Sequence, residues 1–266
     1  YMIANYASEN KNLRWIYEGY MGIKTSKKGT DWIDVGVFSS PYTYEFAKSW
    51  EQPIFTRSLA PEYVPYYLLG LRYKRKINTN LSLTTFLLNG WQHLEIQRKI
   101  PSLGTQLEYT KKKNYINWTS YQGNEKNVAQ PNFGYRFFTE MSWIYTTNKF
   151  KLFACGYTVM QLISGQAKFW GQVHFAGEFQ LIKKLSVNAR VEQFLDPNNI
   201  QIRQGSNHGF NCSGLSLGLH AKVTDFLSLR LESRLLLDNS KTGGFIKEGQ
   251  QTQLLPLGFI ALQLKF

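Results

Sequence analysis

Apolar and polar residues alternate along most of this chain, and this alternation constrains the fold more than any other feature. Within 227–235 every second residue is a leucine apart from one serine, and all the residues between them are polar. The period continues to the end of the chain, where Leu262, Leu264 and Phe266 share one face. A period of two places alternate side chains on opposite faces of a strand, and helical spacing fits none of these segments. The sequence therefore predicts an all-β protein whose strands have one apolar and one polar face.

The composition is compatible with a membrane protein that has no membrane-spanning helix. Hydrophobic residues make up 43% of the 266 residues, and the mean hydropathy is −0.34. No run of about 18 apolar residues is present, which excludes a transmembrane helix. A strand of a membrane barrel spans with only ~9–11 residues, of which alternate ones are apolar. Because the sequence starts at Tyr1 without a basic and then apolar leader, we expect that a signal peptide has been removed or that the true start is missing.

The connections between the alternating segments are short and long in turn. Short turns are predicted near 25–29, 76–80, 111–114, 146–149, 182–184 and 223–225, and long stretches near 40–64, 90–101, 123–131, 160–166, 196–210 and 238–253. Outer-membrane barrels have this pattern, with short periplasmic turns and long extracellular loops. Six hairpins, the C-terminal strand and a weaker strand at residues 1–8 make about fourteen strands. We therefore predict a single transmembrane antiparallel up-and-down β-barrel domain over residues 1–266.

Aromatic residues favour this membrane barrel over the alternative, a soluble secreted β-sandwich. The chain contains sixteen Tyr and seven Trp. Several aromatic residues lie near predicted strand ends, namely Tyr67, Tyr73, Tyr135, Trp143 and Tyr145. Tyr and Trp are enriched at both membrane–water interfaces, whereas the core of a sandwich would mix Val and Ile more evenly. Detergent dependence would distinguish the two folds.

Three segments near the start carry a family resemblance. They read WIDVGVFSSPYTYEF at 32–46, FTRSLAPEYVPYYLLGLRYKR at 55–75 and NLSLTTFLLNGWQ at 80–92. Their order resembles the β-barrel porins of the porin-2 type, OmpL-like, from Bacteroidota outer membranes. The matching residues are Gly36, Phe38, Pro41, Tyr44, Glu45, Arg57, Ser58, Gly70, Arg72, Asn89, Gly90 and Trp91. Thr43 departs from the pattern, since a glycine is expected there. The resemblance implies a porin-like barrel in the bacterial outer membrane and names no solute.

The last strand also indicates how the protein is assembled. A terminal aromatic residue on an alternating strand resembles the C-terminal signal of bacterial outer-membrane barrels, so Phe266 is the candidate assembly signal. The expected partners are the barrel assembly machinery and the lipid and lipopolysaccharide of the outer membrane, which would meet the apolar face.

Charged residues of the polar parity are the candidates for lining a lumen and setting its selectivity. They are Arg72, Lys74, Arg136, Glu140, Arg190, Glu192, Arg230, Glu232 and Arg234. Cations outnumber acids on this parity, and cations that face water in a pore favour anions. The alternative is a neutralised network of these residues that fills the barrel and leaves no open path. The sequence leaves both possibilities open.

The long stretch 40–64 is the candidate for a constriction. It is rich in aromatic residues and carries Tyr44, Glu45 and Arg57. Leaving so many aromatic side chains in water is costly, so we expect the loop either to fold into the barrel or to pack on a partner. Inward folding, which would set the size and charge of the pore, is preferred over an external cap packed only on itself.

Charge and motifs give no sign of nucleic-acid binding or catalysis. The net charge is +13, yet the basic runs, of which Lys111–Lys113 is the densest, fall at predicted turns. The four histidines have no metal-ligand spacing, and no G-x-S-x-G motif is present. We therefore predict no enzyme, no metal and no cofactor. Cys155 and Cys212 fall on well-separated strands and are not expected to pair.

The function that the sequence favours is passive diffusion of small hydrophilic solutes through a porin-like outer-membrane barrel, with a weak preference for anions. The alternative is a plugged barrel that acts as a structural or accessory subunit of a larger outer-membrane complex, with its aromatic loops docking partner proteins. Conductance in a planar bilayer would separate these two hypotheses.

Overall fold

The chain forms fifteen β-strands and one 3-10 helix in the part that the structure describes. The computed structural model describes residues 16, 18–27, 29–45, 52, 54–94, 100–126, 131–202, 209–240, 244–247 and 249–264. The strands are β1 (Gly19–Lys24), β2 (Trp32–Ser39), β3 (Tyr67–Lys76), β4 (Leu81–Leu88), β5 (Ser102–Lys111), β6 (Asn114–Asn124), β7 (Phe133–Thr146), β8 (Phe150–Ile163), β9 (Gln166–Ile182), β10 (Leu185–Asp196), β11 (Phe210–Lys222), β12 (Leu227–Asp238), β13 (Phe245–Lys247), β14 (Gln250–Thr252) and β15 (Leu254–Leu264). The 3-10 helix is Ala60–Tyr63. None of the described residues belongs to a helix with the length and hydropathy needed to cross a membrane.

Thirteen of these strands form one antiparallel sheet in which each strand lies beside its neighbour in sequence. The order runs from β1 to β12 and ends with β15, while β13 and β14 pair only with each other. Residues that lie directly opposite each other on neighbouring strands share a face of the sheet. The register pairs Arg190 with Ser216 and Ser216 with Arg234. It therefore collects polar side chains of β10, β11 and β12 on one face.

The described residues group into two compact units. Unit 1 holds those of 1–44, 62–141 and 158–168, and unit 2 holds those of 45–61, 142–157 and 169–266. Unit 2 thus combines a piece of the long connection after β2 with the C-terminal strands. The single domain expected from the sequence stays a prediction.

In these strands the polar face is buried and the apolar face is exposed, which is the reverse of a soluble protein. In β12, Arg230 and Arg234 are buried, whereas Leu231 is 37% and Leu235 40% exposed. Ile260 of the neighbouring β15 is 79% exposed. Burying charge while exposing leucine is unfavourable in water. The apolar face therefore requires an apolar surrounding such as lipid.

The six predicted short turns are confirmed, because the strand pairs β1–β2, β3–β4, β5–β6, β7–β8, β9–β10 and β11–β12 are joined by seven residues or fewer. Five of the six predicted long stretches are also long connections between strands. The sixth, at 160–166, is wrong. Strand β8 continues to Ile163, and only Ser164 and Gly165 separate it from β9. Both residues have positive φ (51° and 80°), as a two-residue type I′ hairpin turn requires.

The alternation that revealed the other strands is weak in β8, which explains this error. The buried positions of β8 are mostly apolar and include Cys155, Tyr157 and Val159. With apolar residues on both parities, the strand has no clear period of two up to its end.

The predicted number of about fourteen strands agrees with the thirteen strands that the described residues contribute to the main sheet. The weaker first strand predicted at residues 1–8 lies outside the described residues, as does the candidate assembly signal Phe266.

Candidate functional site: the polar face of the sheet

Arg190 lies at the centre of a buried ion cluster on the polar face of unit 2. Its side chain projects from β10 and is 1% exposed. The guanidinium nitrogens lie 3.3 Å from Glu192 Oε1, 3.5 Å from Glu45 Oε1 and 3.7 Å from Glu232 Oε1. An arginine suits this position because its planar fork carries five donors and can serve several acceptors at once.

Two further arginines balance the charge of this cluster. Arg234 Nη2 donates to Glu192 Oε1 at 2.6 Å, and Arg230 Nη1 donates to the carbonyl oxygen of Gln52 at 2.9 Å. Both side chains are buried. Besides Arg190, the sequence predicted four charged lumen residues on β10 and β12. Three of them join the cluster directly, namely Glu192, Glu232 and Arg234. The fourth, Arg230, lies beside it.

The described residues of 45–61, named here the inner segment, lie against this cluster. Thr56 N–H donates to Glu232 Oε2 at 2.7 Å, and Thr56 Oγ1 donates to Glu232 Oε1 at 2.6 Å. Arg190 Nη1 donates in turn to the Thr56 carbonyl oxygen at 2.6 Å. Leu59 N–H donates to Glu192 Oε2 at 2.9 Å. Side chains of the sheet thus satisfy main-chain groups that have no partner strand, and this part of 40–64 folds onto the polar face.

Glu45 connects the two ends of the inner segment to the sheet. It is 2% exposed, and it accepts hydrogen bonds from Ser58 N–H at 3.0 Å and from the Ser58 hydroxyl. Burial by itself would raise the pKa of the Glu45 carboxyl. The neighbouring His174 and Arg190 and the Ser58 hydrogen bonds outweigh burial, so the pKa lies below its ordinary value. Glu45 therefore stays ionised at neutral pH.

His174 and Gln172 complete the contacts of the inner segment, and no motif or spacing in the sequence pointed to either residue. Ala60 N–H donates to Gln172 Oε1 at 2.7 Å, which orients the amide so that Gln172 Nε2 faces His174 Nδ1 at 3.1 Å. The other ring nitrogen, His174 Nε2, lies 3.7 Å from Glu45 Oε2. The Ser58 hydroxyl donates to Glu45 and not to the imidazole, and His174 is 0% exposed. These residues therefore do not form an accessible nucleophile and base.

Arg72 and Lys74 share one carboxylate on the polar face of unit 1. Arg72 Nε lies 2.6 Å and Lys74 Nζ 3.2 Å from Asp34 Oδ2. The guanidinium also lies over the rings of Tyr20 and Phe38, at 4.5 and 4.6 Å from their centroids. Arg72 is therefore held by an ion pair and two cation–π contacts, while the Lys74 side chain remains 42% exposed.

Arg136 and Glu140 lie on β7 in unit 1 and make separate contacts. Arg136 Nε donates to Gln161 Oε1 at 2.8 Å, and its guanidinium lies 4.8 Å from the centroid of Trp91. Glu140 is 0% exposed and accepts hydrogen bonds from Asn117 Nδ2 at 3.1 Å and Thr119 Oγ1 at 3.2 Å. Neither residue joins the Arg72 pair.

An aromatic cluster covers part of the polar face of unit 1. Trp91 lies at its centre, and its ring centroid is 4.8 to 5.5 Å from those of Tyr121, Phe138 and Tyr42. Burial raises the pKa of the Tyr42 phenol well above its ordinary value, so this side chain remains neutral. The three predicted loop residues are all buried, Tyr44 in unit 1 and Glu45 and Arg57 in unit 2.

A second group of cations lies at the turn end of the polar face of unit 2. It consists of Lys149, Lys151, Lys183, Lys184 and Lys222, named here the lysine mouth. These are all the lysines of unit 2 whose side chains the structure describes, and all are exposed. Within the described part of unit 2, no carboxylate oxygen lies within 4.0 Å of any of the five ammonium groups. In the same described residues, His, Cys, Asp and Glu form no group of three that could hold a metal ion.

The family with the description "Putative beta-barrel porin-2, OmpL-like" matches residues 1–266. The chain belongs to this family. No curated protein matches this porin-2 chain in sequence.

Solved structures of outer-membrane proteins share its fold. OmpT of Vibrio cholerae matches with a TM-score of 0.59 at 11% identity, over 93% of this chain and 80% of that one. An anion-selective porin from Comamonas acidovorans has a TM-score of 0.61 at 9% identity, over 87% of this chain and 74% of that one. A further porin has a TM-score of 0.51 at 10% identity over 75% of this chain. The chain spans 62% of that porin's length. At these identities the likeness shows the fold alone.

This porin-2 chain is therefore an outer-membrane β-barrel of the porin type, as the sequence predicted. Short turns face the periplasm and long loops the exterior, since barrels of this class have that arrangement. The apolar face meets lipid and the polar face lines the lumen. The Arg190 cluster, the inner segment and the lysine mouth are then features of the lumen wall of unit 2.

Proposed function

We propose that this barrel allows passive diffusion of small hydrophilic solutes, with a weak preference for anions. The observation that supports the preference is the lysine mouth, where five lysines face the turn end of the lumen with one glutamate, Glu178, among them. Charged side chains that face water in a pore tune its selectivity. Glu178 is already engaged, since it accepts a hydrogen bond from Ser186 at 2.8 Å and lies 3.7 Å from His220 Nδ1.

The buried arginines contribute less to this preference than the sequence suggested. Arg190 and Arg234 lie within 4.0 Å of Glu45, Glu192 and Glu232. Their positive charge is therefore compensated at short range, and little of it reaches a passing ion. We assign the selectivity to the lysines of the periplasmic mouth and a structural role to the arginines.

The experiment is a reversal-potential measurement in a planar bilayer under a gradient of potassium chloride. We expect a weak anion preference that fades with salt, because the screening length shortens to ~3 Å at 1 M. The triple variant K149Q/K183Q/K222Q should lose most of the preference, since these side chains are exposed and their removal leaves the buried cluster unchanged. A cation-selective channel, or an unchanged preference in this variant, would contradict the assignment.

The second candidate function is a plugged barrel that serves as a structural subunit of an outer-membrane complex. The observation that favours it is the filling of the lumen face within each unit. In unit 2 the inner segment covers the Arg190 cluster, and in unit 1 the Trp91 side chain covers part of β6 and β7. Absence of conductance from correctly inserted protein would favour this function over diffusion.

A further inference from the structure

The lysine mouth surrounds a defined cavity. A cavity of about 160 Å³ lies at the turn end of the polar face in unit 2, between the β7–β8 turn, the β9–β10 turn and the end of β11. Besides the five lysines, its wall contains Glu178, Ser186 and His220. This volume has room for several water molecules, and so for a small anionic group.

Main-chain hydrogen bonds fix the positions from which the lysines project. Gln180 N–H donates to the Lys149 carbonyl oxygen at 2.7 Å, and Lys222 N–H donates to the Lys184 carbonyl oxygen at 2.8 Å. Gln180 Nε2 donates to the Lys183 carbonyl oxygen at 3.1 Å. Four of the five lysines are thus held in place by their backbones, and the Lys184 ammonium also donates to the Val223 carbonyl oxygen at 3.4 Å.

Cations outnumber acids in the cavity wall, with five lysines and one glutamate, Glu178, among the described residues. The five lysines line one cavity, and the one glutamate of its wall accepts a hydrogen bond from Ser186 and lies near His220 Nδ1. Asp225 of the adjacent β11–β12 turn does not line the cavity. Like charges at close range repel one another, so an anion that enters the cavity relieves repulsion as well as gaining attraction.

We propose that the lysine mouth is a binding site for phosphate, either the inorganic ion or the phosphate group of a small soluble solute. Lysine binds phosphate as a point charge with rotatable donors. Several lysines around one cavity favour a multiply charged anion over chloride, because each ammonium adds to the attraction. The wall has no arginine among the described residues, so planar bidentate recognition of a carboxylate is not favoured here. The site rests on the proposed diffusion function only in that solutes reach it through the lumen.

The test is a calorimetric titration of inorganic phosphate into the purified protein in a phosphate-free, non-ionic detergent. We expect saturable binding that chloride displaces only at much higher concentration. The variant K149Q/K183Q/K222Q should bind phosphate roughly tenfold more weakly or worse, because charge-assisted hydrogen bonds are lost. The matched control is K111Q/K112Q/K113Q, which removes the same charge from the β5–β6 turn in unit 1 and should bind as the unchanged protein does.

Three results would overturn the proposal. They are equal weakening in both triple variants, phosphate binding no tighter than chloride binding, and tighter binding to micelles of short-chain phosphatidylglycerol that is lost in the mouth variant. The last result would assign the lysines to a lipid headgroup. The binding assay needs no conduction. Intact phosphate binding without conductance would overturn the diffusion function alone, whereas conductance without selective phosphate binding would overturn this site alone.

Discussion

Replacing Arg190 by glutamine should destabilise unit 2 strongly. The substitution removes the guanidinium that lies 3.3 to 3.7 Å from the buried carboxylates of Glu45, Glu192 and Glu232, of which Glu192 keeps its contact with Arg234. It also removes the hydrogen bonds to the Thr56 carbonyl and hydroxyl oxygens, at 2.6 and 3.2 Å. Removing one partner of a buried ion pair costs about 3–5 kcal/mol. With three carboxylates affected, we expect a loss in the upper part of that range.

Two measurements report the loss. Guanidinium unfolding in detergent, followed by tryptophan fluorescence, gives the free energy of unfolding by linear extrapolation; Trp170, 2% exposed in unit 2, is a suitable reporter. Limited trypsin digestion reports release of the inner segment, because Arg57 is 6% exposed and should become cleavable only when the segment leaves the sheet. The control is Arg75→Gln, at an exposed position of β3, which should change stability by less than about 0.5 kcal/mol.

A double variant separates charge imbalance from lost packing. In R190Q/E232Q one of the three buried charges is removed, while the new glutamine keeps an acceptor oxygen for Thr56. We expect it to be more stable than R190Q by about 1 kcal/mol or more, since neighbouring sites in one ion network couple by this amount. A loss below about 1 kcal/mol in R190Q, or no recovery in the double variant, would refute the view that the cluster holds the inner segment.

Three further predictions concern other parts of the chain. Leu231→Arg on the lipid face should cost ~2–4 kcal/mol if the site lies near mid-membrane, and free access of water-soluble reagents to a cysteine placed there in intact membranes would contradict the orientation. Deleting Phe266 should reduce the amount inserted in the outer membrane more than the stability of the finished barrel, and normal insertion would argue against an assembly signal. The stability contributed by Glu45 should be fully present above its ordinary pKa of 4.5 and be lost as pH falls through its lowered pKa. The difference in unfolding free energy between the unchanged protein and Glu45→Gln should therefore shrink in acid, and a constant difference would contradict the shift.

The local period in the sequence was enough to predict the strands, the short turns and the face on which each side chain lies. The placement of Arg136, Arg190 and Arg234 on the polar face follows from parity alone, because a period of two fixes the face. The same reasoning failed at 160–166, where both parities of β8 carry apolar residues and the pattern gives no period.

The partners of the inner segment could not be predicted in this way. Thr56 and Glu232 are 176 residues apart in sequence, and Leu59 and Glu192 are 133 residues apart. A period identifies the face of a strand but not which distant loop meets it or at what height along the strand. The aromatic content of 40–64 indicated that the loop must be covered, and only the structure identifies β9, β10, β12 and β15 as strands that the inner segment contacts.

In unit 2 the arginines and the lysines lie at different positions, and the chemistry of the two side chains explains the difference. The described arginines, Arg57, Arg190, Arg230 and Arg234, are all less than 9% exposed, whereas the lysines whose side chains the structure describes all lie at the exposed turn end. Guanidinium is more weakly hydrated than ammonium and presents a fixed fork of donors, so it is the cation that can be buried against several acceptors. Ammonium is more strongly hydrated, so its burial costs more free energy. It therefore stays at the exposed end of the strands, where it can attract an anion. The net charge of +13 therefore does not say which cations a solute meets, because in unit 2 the arginines Arg190 and Arg234 are paired with carboxylates inside the lumen wall and the exposed lysines remain available at its mouth.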